Sequence, residues 1–132
     1  MGLLEQLHQE RKARLERIER AAYRPKALPF DSFDIILNEI CEYYQTRAED
    51  IFSQRRMMGL SNKRMVLAYM VYLLTPLSNP QIAAKMKRDP SSISLALNKM
   101  RNNITSYTEV IQELEQRIRP LLEERGRRVK AV

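Results

Sequence analysis

The chain is poor in the residues that most often carry chemistry. Its 132 residues hold one cysteine, one histidine, three glycines and no tryptophan. With Cys41 alone, no intrachain disulfide can form and a cysteine-rich metal site is excluded. Cys41 is expected to pack as a small core side chain, and His8 lies in a charged N-terminal stretch as a solvated helix residue. There is no paired-carboxylate motif, metal-ligand spacing or nucleophile–base pair, so neither an enzyme nor a cofactor nor a small-molecule substrate is expected. Met1-Gly2-Leu3-Leu4-Glu5 lacks the basic and long apolar regions of a signal peptide. The longest apolar run, Met65 to Leu74, is too short for a bilayer. A soluble, cytoplasmic protein with no membrane partner follows. Val, Ile and Thr never cluster in alternating runs, so strands have no support and the expected class is all-α.

What is present is apolar residues at helical spacing and positive charge. The composition is 44% hydrophobic and 30% charged, enough apolar material for one helical domain with an extension. The net charge is +7, and its placement says more than its size. Residues 25–60 are net −2, whereas residues 61–104 carry seven basic and one acidic side chain, net +6. Such a concentration suits a surface that meets phosphates.

Residues 3–22 suggest a charged helix whose apolar stripe (Leu3, Leu4, Leu7, Leu15, Ile18, Ala21) is broken by Arg11, Lys12, Arg14 and Arg17. Prolines 25 and 29 make the next stretch a linker. Asp31 or Ser32 is expected to cap a helix with Phe33, Ile36, Leu37, Ile40, Cys41 and Tyr44 facing inward. A short helix at 48–55 would bury Ala48, Ile51 and Phe52 and carry Arg55 and Arg56 near its end. Gly59 breaks the chain. Ser61 or Asn62 should then cap a central buried helix, 62–75, whose Lys63 and Arg64 reach the surface. In Ser78-Asn79-Pro80 and again in Asp89-Pro90, a cap residue precedes a proline at the first helical position. Ile104, Tyr107, Ile111, Leu114, Ile118 and Leu121 finally form a coiled-coil-like seam with Pro120 near its end.

The two short helices, Pro80 to Met86 with Ile82, Ala83 and Met86 inward and Pro90 to Asn102 with Ile93, Ala96, Leu97 and Met100 inward, have the lengths of a helix-turn-helix, with small Ala84 at the expected crossing. In such units the N-terminal part of the second helix enters the major groove. Here that part offers the Ser91 and Ser92 hydroxyls to bases or phosphates and Leu95 to a thymine methyl. Its N-terminus attracts a phosphate. Lys87, Arg88 and Lys99 flank this surface.

Residues 33–104, and loosely on to 124, resemble the C-terminal DNA-binding domain of the bacterial replication initiator DnaA. The likeness rests on Cys41-Glu42-Tyr43-Tyr44, Glu49 through Arg56, Arg64 through Thr75, Asn79-Pro80-Gln81-Ile82-Ala83 and Arg88-Asp89-Pro90-Ser91-Ser92-Ile93. The resemblance implies that Arg64 enters the minor groove. It implies that Asp89, Ser91 and Ser92, matching the signature Arg-Asp-His-Thr-Thr, read bases in the major groove. It also places Lys99, Arg55 and Arg56 near the DNA backbone. Four features depart from the family pattern. Pro90 replaces the signature histidine, serines replace both threonines, the turn before Arg88 is one residue shorter, and Met65 stands where a polar residue is common. The expected target therefore differs from the family's box. No Gly-rich Lys-Ser/Thr loop occurs, so no ATPase is expected and this chain would not melt an origin by itself.

The expectation is an all-α protein with an N-terminal helix and linker (1–30), a helix-turn-helix domain (31–104) and a C-terminal helix with a basic tail (105–132). It would bind double-stranded DNA at initiator-box-like sites, in replication control or transcription regulation. The rival is a protein-interaction adaptor with an incidental basic surface, against which the +6 segment argues. The terminal helices either form a homodimer or pad the domain.

Overall fold

The computed structural model describes residues 2–21, 32–53 and 59–130, without the side chains of 15–21, 104, 105, 129 and 130. Among them run seven helices: α1 (Leu3–Ala21), α2 (Phe33–Tyr44), α3 (Ala48–Phe52), α4 (Leu60–Leu74), α5 (Asn79–Met86), α6 (Pro90–Asn102) and α7 (Ile104–Lys130). No strand occurs among these residues. The expected linker, the Asp31 cap, and Arg55 and Arg56 lie outside the described residues.

α4 is the centre of the fold. Met65 through Val71, with Leu60, Leu73 and Leu74, are all buried, and α2, α3, α5, α6 and α7 pack around them. A helix apolar on every side is stable in water only when surrounded in this way. It starts earlier than the sequence suggests. Gly59, in the left-handed conformation (φ 89°), stands at the cap position, and Ser61 and Asn62 fall within the first turn. Burial of Leu60 draws that turn inward, and glycine accepts the backbone angle this needs.

α2 contributes Phe33, Ile35, Ile36 and Ile40 to the core, with Leu37, Cys41 and Tyr44 half-buried against it. Ser32 occupies its cap position but makes no side-chain cap bond. α3 is one turn long and ends at Phe52, three residues short of the expected end.

α7 covers α2 and α4 with Ile111, Leu114 and Ile118, so its seam is filled within the chain. Beyond Ile118 the partly buried residue is Leu122, while Leu121 is 36% exposed. A straight helix has 3.6 residues per turn, so a stripe read at 3.5 drifts and the next inward position falls four residues on. The helix also runs past Pro120, which faces solvent, to Lys130. Arg117 bridges Glu39 at 3.3 Å and lies over the Tyr43 ring, and Arg125 reaches Asp34. α1 rests on α7, with an Arg11–Glu109 pair at 3.6 Å, and leaves Leu3, Leu4 and Leu7 exposed.

Candidate nucleic-acid interface

The site is built on α5, the turn after it, and α6. Ser78 caps α5: its Oγ accepts from the Gln81 N–H, and Gln81 Oε1 accepts from the Ser78 N–H at 2.8 Å. This is a capping box, with Pro80 at the second helical position rather than the first. Ala83, not Ala84, is the small buried residue at the crossing. Ala84 is exposed, because the inward stripe follows Ile82, Ala83 and Met86. Asn79 Nδ2 donates to Ser94 Oγ at 3.2 Å and ties the start of α5 to α6.

The turn between the helices is tight. Lys87 adopts the left-handed conformation (φ 57°), and the Lys87 and Arg88 N–H groups close onto the Ala84 and Ala83 carbonyls. This is the Schellman ending that usually takes glycine. A left-handed residue with a Cβ is strained by about 1–2 kcal/mol, and β-branching worsens it. Lys87→Gly is therefore expected to be more stable than Lys87→Val by about 1–2 kcal/mol in urea unfolding. Equal stabilities would mean that the turn adopts another conformation.

α6 spans the residues expected of it, Pro90 to Asn102. Ile93, Leu97 and Met100 bury one face, and the Arg101 guanidinium lies over the Tyr72 ring of α4 at 5.4 Å. The opposite face is bare: Ser91, Ser92 and Lys99 are exposed, and Leu95 is 61% exposed. An apolar side chain this open on a helix otherwise apolar only inward is the kind of residue that meets a partner. Asp89 stands at the cap position without a side-chain cap bond, contrary to the role expected for it. Its carboxylate is exposed, and the Asp89 carbonyl instead accepts from Ser92 and Ile93. Asp89→Ala is accordingly expected to change stability by no more than about 0.5 kcal/mol, as exposed substitutions do. A thermal melt showing a loss near 2 kcal/mol would restore the capping role.

Beside α6 opens a cleft of about 560 Å³ between α4, α6 and the start of α7. Arg64, Arg88, Ser92, Leu95 and Lys99 line it, so the structure brings these five expected residues together. Lys63 is not among them: its Nζ sits over the Tyr44 ring of α2 at 5.9 Å. Lys87 Nζ lies over the Phe52 ring at the same distance. Asn62, Asn103, Ser106 and Tyr107 also line the cleft. Nothing in their spacing marks them, because α4 and α7 converge there only through packing.

Arg64 is only part-exposed, and its Nε and Nη2 donors point into the protein. Nε donates to the Ile51 carbonyl at 2.7 Å, and Nη2 donates to the carbonyls of Ser53 at 2.6 Å and Asp50 at 3.3 Å. Arg88 Nη2 donates to the same Ser53 carbonyl at 2.7 Å. Burial first, and the neighbouring Arg88 charge second, lower the pKa of Arg64 from its ordinary value. Burial likewise pushes the Cys41 thiol up, which suits a packing residue rather than a nucleophile. Among the described residues no cluster of His, Cys, Asp and Glu could hold a metal, and no helix is long and apolar enough to cross a membrane.

Comparison with known proteins matches residues 33–100 to the bacterial DnaA protein helix-turn-helix. The chain is 32% identical over 88 residues to the chromosomal replication initiator protein DnaA of Caldanaerobacter subterraneus subsp. tengcongensis, covering 64% of this chain and 20% of that protein. It is 31% identical over 88 residues to that of Thermoanaerobacter sp. (strain X514), with the same coverage, and 30% identical over 85 residues to that of Jannaschia sp. (strain CCS1), covering 64% of this chain and 18% of that protein. It thus spans about a fifth of the length of these relatives. No solved structure matches it significantly. With its helix-turn-helix built as described and more than half its length matched, the chain belongs to the bacterial DnaA helix-turn-helix family.

Proposed function

We propose that this chain binds double-stranded DNA sequence-specifically, with α6 in the major groove, at sites related to initiator boxes. Its role would be in replication control or in transcription regulation at such sites. The observation that carries this reading is the bare face of α6. Ser91, Ser92, Leu95 and Lys99 stay exposed while the other face holds the helix rigidly on α4. To this face the reading adds Lys87, Arg88 and Asp89 at the preceding turn and, from the sequence alone, Lys63 in the first turn of α4, which lies apart from the cleft over Tyr44. Arg55 and Arg56 join it on the strength of the family resemblance. The relatives are named chromosomal replication initiators, which supports DNA as the partner of this domain. Self-association, the second partner suggested by the sequence, would use Leu3, Leu4 and Leu7 of α1, since the seam of α7 is already filled; solution mass tests it.

The decisive experiment is selection of bound duplexes from a random pool. A recovered consensus supports the reading. A chain that enriches none, and is not retained on heparin, favours the adaptor instead. Within the surface, Lys99→Ala should weaken binding to all sequences alike and lower the salt slope by about one unit, as loss of one phosphate contact does. A loss confined to the selected sequence would make Lys99 a base reader.

A further inference from the structure

α3 is a single turn, so its last carbonyls have no partner within the helix. The Asp50 carbonyl accepts from the Ser53 N–H and from Ser53 Oγ at 2.8 Å, and the Asp50, Ile51 and Ser53 carbonyls all take charged donors. Three separate pieces of chain meet there: the end of α3, the first turns of α4 through Arg64, and the turn into α6 through Arg88. Two guanidinium groups on one carbonyl oxygen repel each other, so the arrangement costs electrostatic energy. Like other charges withdrawn from water, it makes better sense as a device for fixing geometry than as a source of stability. The Lys87 cation over Phe52 is a second tie between the same turn and the same end of α3.

Resting on the DNA-binding reading above, we infer that Arg64 is a positioning residue: with Arg88 it clamps the end of α3, and the clamp sets where α6 leaves its turn and so where Ser91 and Ser92 meet the DNA. The planar fork spreads three carbonyls over two nitrogens held in one rigid plane, whereas a lysine ammonium, although it carries the same charge, offers its three donors from a single nitrogen with no fixed plane and cannot reproduce that spacing. A direct phosphate contact would tolerate lysine. The clamp does not.

The test compares Arg64→Lys with the wild-type chain on the duplex the wild type selects and on a scrambled duplex, at a temperature where both are folded. Arg64→Lys is expected to lose at least tenfold in affinity for the selected duplex, with affinity for the scrambled duplex and the salt slope unchanged. In a Ser91→Ala/Ser92→Ala background the same substitution should cause no further loss of discrimination. Without DNA, the amide resonances of Lys87 to Ser92 should move in Arg64→Lys, far along the chain from the substitution. Wild-type affinity in Arg64→Lys, a loss shared by both duplexes, an equal loss in the double-serine background, or unmoved amides would each overturn the inference. Failure of the underlying reading would look different: the wild-type chain itself would then prefer no duplex.

Discussion

Replacing Ser91 and Ser92 together with alanine is expected to leave the protein folded and to remove most of its preference for its selected DNA sequence. Both hydroxyls are exposed in the first turn of α6, and neither caps the helix. Their removal should therefore shift stability by no more than about 0.5 kcal/mol. In a groove each would bond a base edge, and a lost base contact costs about 1–3 kcal/mol of discrimination. Two contacts at the low end amount to about 2 kcal/mol, roughly a thirtyfold fall in the ratio of specific to non-specific affinity. Non-specific affinity should hardly change, because Lys99 and the +6 charge of residues 61–104 remain to attract phosphates. Competition binding against scrambled DNA reads the ratio directly. A double variant that keeps both its fold and its preference would show that α6 is not the reader.

Leu67→Ala is the substitution expected to damage the fold most while touching nothing at the surface. Leu67 is fully buried in α4, the helix against which five others pack. Truncating such a leucine costs about 2–5 kcal/mol, the spread reflecting how far neighbours relax into the space. Against a total of about 5–15 kcal/mol for a typical domain, this takes away a large share. Urea unfolding should show a lower midpoint with an unchanged slope. At low temperature, where the variant is still folded, the surviving molecules should discriminate sequences as the wild type does. A loss under about 1 kcal/mol would mean that α4 is not packed as described.

The legible parts of this fold are those set by local chemistry. α6 could be bounded from the sequence because Asp89-Pro90 fixes its start, and the central position of α4 followed from an apolar run with no polar stripe. Other features are decided by neighbours distant in sequence. The inward stripe of α5 (Ile82, Ala83 and Met86) was legible from its spacing, but Ala84, set at the crossing for its small size, lies on the exposed side. The start of α4 turned on the burial of Leu60, and the idle carboxylate of Asp89 on geometry no spacing encodes. Arg64 is the clearest example: its acceptors are backbone carbonyls 11 to 14 residues earlier, and a carbonyl has no letter in a sequence. The exposed positions of Ser91, Ser92 and Leu95 were legible because a helix-turn-helix leaves that part of its second helix uncovered. The cleft behind them was not, since Asn103, Ser106 and Tyr107 reach it only after α7 folds back.

That folding back bears on where the protein can be cut. The family match stops at residue 100, yet Ile111, Leu114 and Ile118 of α7 are among the most deeply buried side chains. A fragment ending at the match would leave the α2 and α4 surfaces beneath them open to water. In hydrogen exchange, amides of the Ile111–Ile118 stretch should open only with the whole molecule, at the free energy of global unfolding. Those at the start of α1, where Leu3 and Leu4 stand exposed, should open by local fraying. A protease would accordingly trim the N-terminal helix first, and the resistant core would still contain α7, well beyond the matched segment.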